Sequence, residues 1–367
     1  MNEKDLGYRR VQSTGRGSYI ISLPKDWAQN IGLRRGSEIA FTVQSDFSLV
    51  LTPRALKEKS MQVEKPELKE YCLTVDIKDD PQSVQRMIKA LYAIGADIMQ
   101  IRFKNAETSV KYKPEIKNFA RDLFLGSEVI EEASNEITFQ ILIRHPEFPI
   151  ERAVRRMSIL ALTADRDAIS YFENGNQDAY QNVLNAYNDI NRLSLYVVRQ
   201  LKYGIERNLY KELGFETPKE FLLYRILVND IKNITENALN ITRALTDFHK
   251  LVKDKTLFIR EQVDEETYLQ VLNFNALAHQ LFEDSMKAMF KKDYKDAERV
   301  IAKRQSYTSL ENELVRLMYS KKLDPHIATI LRLFLDNSRR IMDHSQDIAE
   351  LTLNWTVEEV CTKLAFA

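Results

Sequence analysis

From Phe148 onward, apolar residues recur every three to four positions over long stretches, the period of an amphipathic helix. The first 150 residues behave differently, with short apolar runs broken by glycines and charged turns. Within them, residues 19–23, 38–43 and 47–51 predict strands, and a short helix is predicted over Lys25–Asn30, opened by Pro24. Five of the ten glycines fall in the first 36 residues, where tight turns need the positive φ that glycine adopts cheaply. Trp27 and Ile31 are the candidate core of this stretch. Some 45 residues bury too little apolar area to offset chain entropy, which predicts an intertwined dimer.

Residues 69–144 alternate element types. Strands are predicted at 71–77 and 98–103, helices at 81–94 and 115–124, and a hairpin of 127–132 with 136–143 turning at Ala133-Ser134-Asn135. This is the pattern of a small α+β domain. Residues 54–69 are charged, contain Pro66 and lack periodicity, so they read as a linker. The helical part repeats. Shifted by 107 residues, Pro218 falls on Pro325, Ile226 on Leu333, Ile234 on Ile341, Glu236 on Asp343 and Ile241 on Ile348. A weaker match places Phe172 on Phe290 and Asp178-Ala179 on Asp296-Ala297. Two three-helix units, each with one apolar stripe, predict a six-helix bundle. The expected domains are 1–54, a linker at 55–68, 69–145, repeats at 146–258 and 259–356, and a tail at 357–367.

Charge changes the picture locally. The whole chain of 367 residues balances 53 basic against 53 acidic side chains, but residues 1–60 carry ten Lys and Arg against six Asp and Glu. A basic module on a neutral chain suggests an anionic partner for that module. Cys72 and Cys361 have no CxxC spacing, which argues against a disulfide scaffold or a cysteine zinc site. No apolar run reaches the roughly 18–20 residues of a membrane span. The first residues also lack a signal-peptide pattern, so a cytoplasmic protein without membrane insertion is expected.

Gln12-Ser-Thr-Gly-Arg-Gly-Ser18, Ser22-Leu-Pro-Lys-Asp-Trp27 and Leu33-Arg-Arg-Gly-Ser-Glu38 together resemble the swapped-hairpin DNA-binding domain of the AbrB/SpoVT family. The resemblance implies a β-rich homodimer whose cations meet DNA: Arg9, Arg10 and Arg16 first, Lys25, Arg34 and Arg35 secondarily. Cations on one dimer face displace counterions from phosphate, and arginine can fork to a guanine edge. The competing reading makes them solvated charges on a module that only dimerises.

A second resemblance lies in the repeat. Residues 230–242, from Asp230 to Thr242, and residues 338–350, from Ser338 to Glu350, are similar to the twin motifs of the PhoU family, regulators of phosphate uptake built as paired three-helix bundles. That family's motif sets a glutamate four residues before an aspartate on each of two helices, and these acids can hold metal ions. Here the glutamate positions are Lys232 and Arg339, and the aspartate positions Glu236 and Asp343. Cations repel a metal. The favoured expectation is therefore i,i+4 salt bridges to Glu236 and Asp343. The alternative is a divalent metal ion held by Asp230, Glu236, Asp336, Asp343 and Asp347, with His344 beside them.

Catalysis finds no support. None of the five histidines follows a glutamate by three residues, as a di-iron bundle requires, and no phosphate loop, GxSxG or HExxH is present. His249, His279 and His326 are expected at helix surfaces or boundaries. The resemblances together imply a transcription regulator of phosphate homeostasis, with a sensory bundle coupled to a DNA-binding dimer. The alternative is an adaptor docking on a phosphate-transporter ATPase or a sensor kinase, its first module serving only for dimerisation.

Overall fold

The computed structural model describes residues 8–15, 17–43, 47–55, 68–143, 148–252 and 259–361. The chain divides into two units, at Leu68 and Lys69.

In the first unit, β1 (Gln12–Ser13) pairs antiparallel with β2 (Tyr19–Ile20), and β3 (Ile39–Val43) with β4 (Leu49–Pro53). Between these pairs lies α1 (Lys25–Asn30). This helix ends in a Schellman turn: Gly32 is left-handed at φ 70°, and the Leu33 N–H bonds the Ala28 carbonyl at 2.9 Å. The strand predicted over 19–23 is only two residues long, because Ile21 to Leu23 find no ladder partner in a single chain. Trp27 and Ile31 are only half-buried, since so few residues cannot cover them. Val11, Tyr19, Ile20, Phe41, Val43 and Leu49 are exposed, Phe41 at 68%. In this unit, Pro53 is the one buried residue among those described.

The second unit opens with an α+β piece: β5 (Glu70–Val75), α2 (Pro81–Ala93), β6 (Ile98–Phe103), α3 (Ala106–Leu123), β7 (Ser127–Ala133) and β8 (Glu136–Ile141). The sheet order is β5-β6-β8-β7; β5 and β6 are parallel, the other pairs antiparallel. Val84, Ile88 and Tyr92 of α2 and Tyr112, Ile116 and Ala120 of α3 pack on Met99, Ile101 and Phe139 of the sheet. Helix α3 begins nine residues before the expected start. Asn105 caps it, accepting the Thr108 N–H at 2.9 Å, and the buried face is already set by Thr108 and Tyr112. Pro114 is tolerated within it: the carbonyl it leaves unpaired belongs to Val110, which is exposed to water.

Six long helices follow among the described residues: α4 (Ile150–Asn174), α5 (Gln177–Arg207), α6 (Lys219–Val252), α7 (Glu265–Lys291), α8 (Tyr294–Ser320) and α9 (Pro325–Val360). They form two three-helix sets in the order the repeat predicts, α9 continuing beyond residue 356. Asn176, Asp264, Asp293 and Asp324 cap α5, α7, α8 and α9 by accepting first-turn N–H groups. Helices α4 and α7, and α6 and α9, join the two sets, with the Phe172 and Phe334 rings 4.4 Å apart in the shared core.

Helix α5 also belongs to the α+β core. Leu195 is buried in that cluster, and one turn later Arg199 enters it, 5% exposed. Its guanidinium donates to the carbonyls of Tyr92 (3.1 Å) and Ala96 (2.6 Å) and to Asp97 Oδ1 (3.0 Å). Asp97 Oδ2 in turn accepts the Lys69 N–H. This is the buried polar joint between the sheet piece and the bundle, beside a more exposed ion pair of Lys69 with Glu206 on α5.

Candidate functional site

The N-terminal cations stand apart from carboxylates. Arg9, Arg10, Lys25, Arg34 and Arg35 are exposed, and among the described residues none forms an ion pair. Arg9 donates only to the Tyr8 carbonyl, at 2.9 Å, whereas Arg54 is bound to Glu38. Arg16 lies outside the described residues.

On the bundle, the acids anticipated from the sequence separate into two groups. Arg339 donates to Asp343 at 2.6 Å and to Asp336 at 2.8 Å, and lies 3.6 Å from Glu311. Arg340 adds a bond to Asp336, and Arg304 on α8 binds Asp343 at 2.5 and 2.9 Å. Burial pushes the Asp336 carboxyl up, but Arg339 and Arg340 outweigh it and hold it below its ordinary range. Asp336 and Asp343 are thus neutralised by arginine. The corresponding Lys232 and Glu236 form no ion pair among the described residues; Lys232 instead faces Lys89, whose pKa burial and that like charge lower.

Asp230 and Asp347 meet elsewhere, through His344. Asp230 lies on α6, His344 and Asp347 on α9, and the ligand atoms of all three lie within 4.8 Å of one another. His344 Nδ1 is 3.1 Å from Asp230 Oδ1 and 3.6 Å from Asp347 Oδ2. Asp230 Oδ2 is buried with no hydrogen-bond partner. One imidazole and two carboxylates form a donor set that suits a borderline divalent cation such as Zn²⁺, and the orphan oxygen of Asp230 would be satisfied by it. Such an ion competes with the proton on His344, whose pKa the bonds to Asp230 and Asp347 push up to about 9. A raised histidine stabilises fully below its unfolded value and loses that contribution as pH rises through its folded value. In chelator-treated protein, urea stability is therefore expected to fall between pH 6.5 and 9 by at most about 3 kcal/mol. The fall should be smaller than this maximum, because burial outweighs His344 at Asp230 and holds that carboxyl up. His344→Asn should flatten the profile; an unchanged profile contradicts the pairing.

A third polar cluster was not anticipated. Asp165 on α4, 2% exposed, accepts from Asn275 Nδ2 at 3.3 Å and faces His279 Nδ1 at 2.8 Å, both on α7. Asn275 also donates to Ser338. His279, expected at a helix surface or boundary, is half-buried against Asp165, with Nε2 buried and unpartnered. His249 is buried, while His326 is exposed. Periodicity carries no signal for such a pairing across two repeats; a lone Asp on an otherwise apolar stripe is the nearest one.

Residues 12–59 match the family model described as antidote-toxin recognition MazE, bacterial antitoxin, and residues 271–352 match that of the PhoU domain. The chain thus carries a MazE/AbrB-type match at its N-terminal unit and a PhoU-domain match within the second three-helix set. The crystal structure of PhoU from Pseudomonas aeruginosa aligns at a TM-score of 0.42 and 14% identity, over 57% of this chain and 96% of that one. No curated protein matches. Among the described residues, no helix is long and apolar enough to cross a membrane.

Proposed function

We propose that the protein is a DNA-binding regulator of phosphate homeostasis, in which a dimer of the N-terminal unit holds DNA and the bundle receives the signal. The observation that carries this reading is the N-terminal unit itself. It leaves its apolar side chains exposed in one copy, as a dimer half does, and leaves Arg9, Arg10, Lys25, Arg34 and Arg35 without carboxylate partners. Unpaired cations beside a two-fold interface are suited to phosphate backbones. The PhoU-domain match supports the signalling role and the phosphate context. Cytoplasmic residence follows from this function.

The bundle acts as a two-state element: a partner or ligand favouring one conformation shifts the spacing of the DNA-binding halves. Partners of the bundle, on this reading, include a phosphate-transporter ATPase or a sensor kinase. The test is fluorescence anisotropy on duplexes from the protein's own promoter and from phosphate-transport promoters. Arg9→Ala/Arg10→Ala/Arg16→Ala should weaken binding by about 100-fold while leaving the dimer intact. Wild-type affinity in the triple variant contradicts the assignment. A second reading is favoured by the description of the matched N-terminal family, which concerns recognition of a protein. There the module dimerises and meets a protein, and the chain serves as an adaptor; removal of residues 1–54 would then abolish partner capture.

A further inference from the structure

Phe148, just ahead of α4, and Arg152, Arg156 and Leu160 along one face of that helix line a groove of about 400 Å³. Helix α5 closes the other side with Asp189, Arg192 and Leu193, and Leu125 of the α+β piece closes the end. Three arginines and a single carboxylate thus line it. Among the described residues none of the three forms an ion pair, although their neighbour Arg155 is bound to Glu151 at 2.6 Å and lies over the Phe290 ring. Arg192 Nε is buried without a hydrogen-bond partner. A buried guanidinium N–H left unmatched costs about 1–3 kcal/mol, more for a charged group, so an acceptor within reach of Arg192 is favoured.

The walls are fixed before any ligand arrives. The Tyr196 hydroxyl donates to the Phe148 carbonyl at 2.7 Å, with the two rings 5.6 Å apart. The Tyr92 hydroxyl donates to the Leu125 carbonyl at 3.0 Å. The groove's volume falls within the roughly 300–1,000 Å³ of small-molecule sites and is far larger than an orthophosphate needs. Half of its lining is apolar. A ligand matching both halves carries phosphate for the arginines and a flat apolar body for Phe148 and the leucines. Planar guanidiniums serve both, forking onto phosphate and stacking on rings.

From this geometry we infer that the groove binds a nucleotide, its phosphates held by Arg152, Arg156 and Arg192 and its base against Phe148. The site joins the α+β piece to both α4 and α5, so an occupant bridges them. The inference rests on the groove alone and stands or falls apart from DNA binding.

The test uses the full chain without DNA, titrated with fluorescently labelled ADP and competed with unlabelled nucleotides and pyrophosphate. Saturable binding is expected, with pyrophosphate a weaker competitor than ADP because it leaves the apolar wall empty. Arg156→Gln/Arg192→Gln should raise Kd by about 30-fold or more. Asp189→Asn removes the one repelling carboxylate and should tighten binding about threefold, an outcome that misfolding cannot mimic. The inference is overturned if labelled ADP does not bind, if the arginine variant with unchanged circular dichroism binds as wild type does, or if pyrophosphate competes as well as ADP.

Discussion

Arg199→Ala is expected to destabilise the second unit by about 3–5 kcal/mol, the range for breaking a buried, hydrogen-bonded ion pair. The guanidinium is 5% exposed and makes three bonds, two of them to main-chain carbonyls of Tyr92 and Ala96 that gain no replacement donor from alanine. Asp97 retains some solvent access, its side chain 22% exposed, which places the effect toward the lower end of that range. Arg199 also lies over the Tyr92 ring at 5.2 Å, and that ring stacks on Phe124, so the loss reaches the α+β core directly. Lysine keeps the charge but lacks the planar fork, and should recover only part of the loss. In urea unfolding, the wild-type transition should split in the alanine variant, because the sheet piece loses its polar joint to the bundle while each retains its own apolar cluster. A loss below about 1 kcal/mol contradicts the role assigned to this residue.

Phe41→Glu/Val43→Glu is expected to convert the proposed N-terminal dimer to separate copies and to remove DNA binding together with it. Phe41 and Val43 are exposed on β3 in one copy, as are Tyr19, Ile20 and Leu49 nearby in sequence. Burying five such side chains at about 1.5–3 kcal/mol each supplies roughly 8–15 kcal/mol, comparable with the cost of association. Dimerisation is therefore sensitive to any one of them. Two carboxylates that must be desolvated at the interface should weaken association at least about 100-fold, read by sedimentation across a concentration series. Losing the dimer halves the cations presented to one duplex and should therefore lower DNA affinity, most clearly at low salt. A dimer that survives both substitutions contradicts the interface.

Local physics made much of this fold legible. Lys25–Asn30 is bounded by Pro24 and Gly32, and Ile98–Phe103 by its β-rich run, so both elements occupy the residues the pattern predicts. The prolines at 218 and 325 mark the starts of the corresponding helices α6 and α9. What stayed hidden depends on partners distant in the chain. Arg199 reads as a polar position in a helix until Tyr92, Ala96 and Asp97, more than 100 residues earlier, close around it. The Arg339–Asp343 bridge follows from four-residue spacing, yet Arg304 on α8 could not be placed there by any spacing rule. Asp230 and Asp347 sit on different helices, and the residue that joins them is His344. Helix α3 starts nine residues before the predicted 115, because sequence cannot show that the Val110 carbonyl freed by Pro114 faces water.

The coupling between N-terminal dimerisation and DNA is the centre of the account, and the salt dependence of binding tests it most directly. Anisotropy on a promoter duplex across a salt series, with dimeric protein verified beforehand, measures how many phosphates the protein neutralises. Arg9, Arg10 and Arg16 from two copies supply six cations, so log K against log salt should fall with a slope of about −5. A dimer that fails to bind at low salt, or binds with a slope near zero, would show that these arginines do not meet DNA.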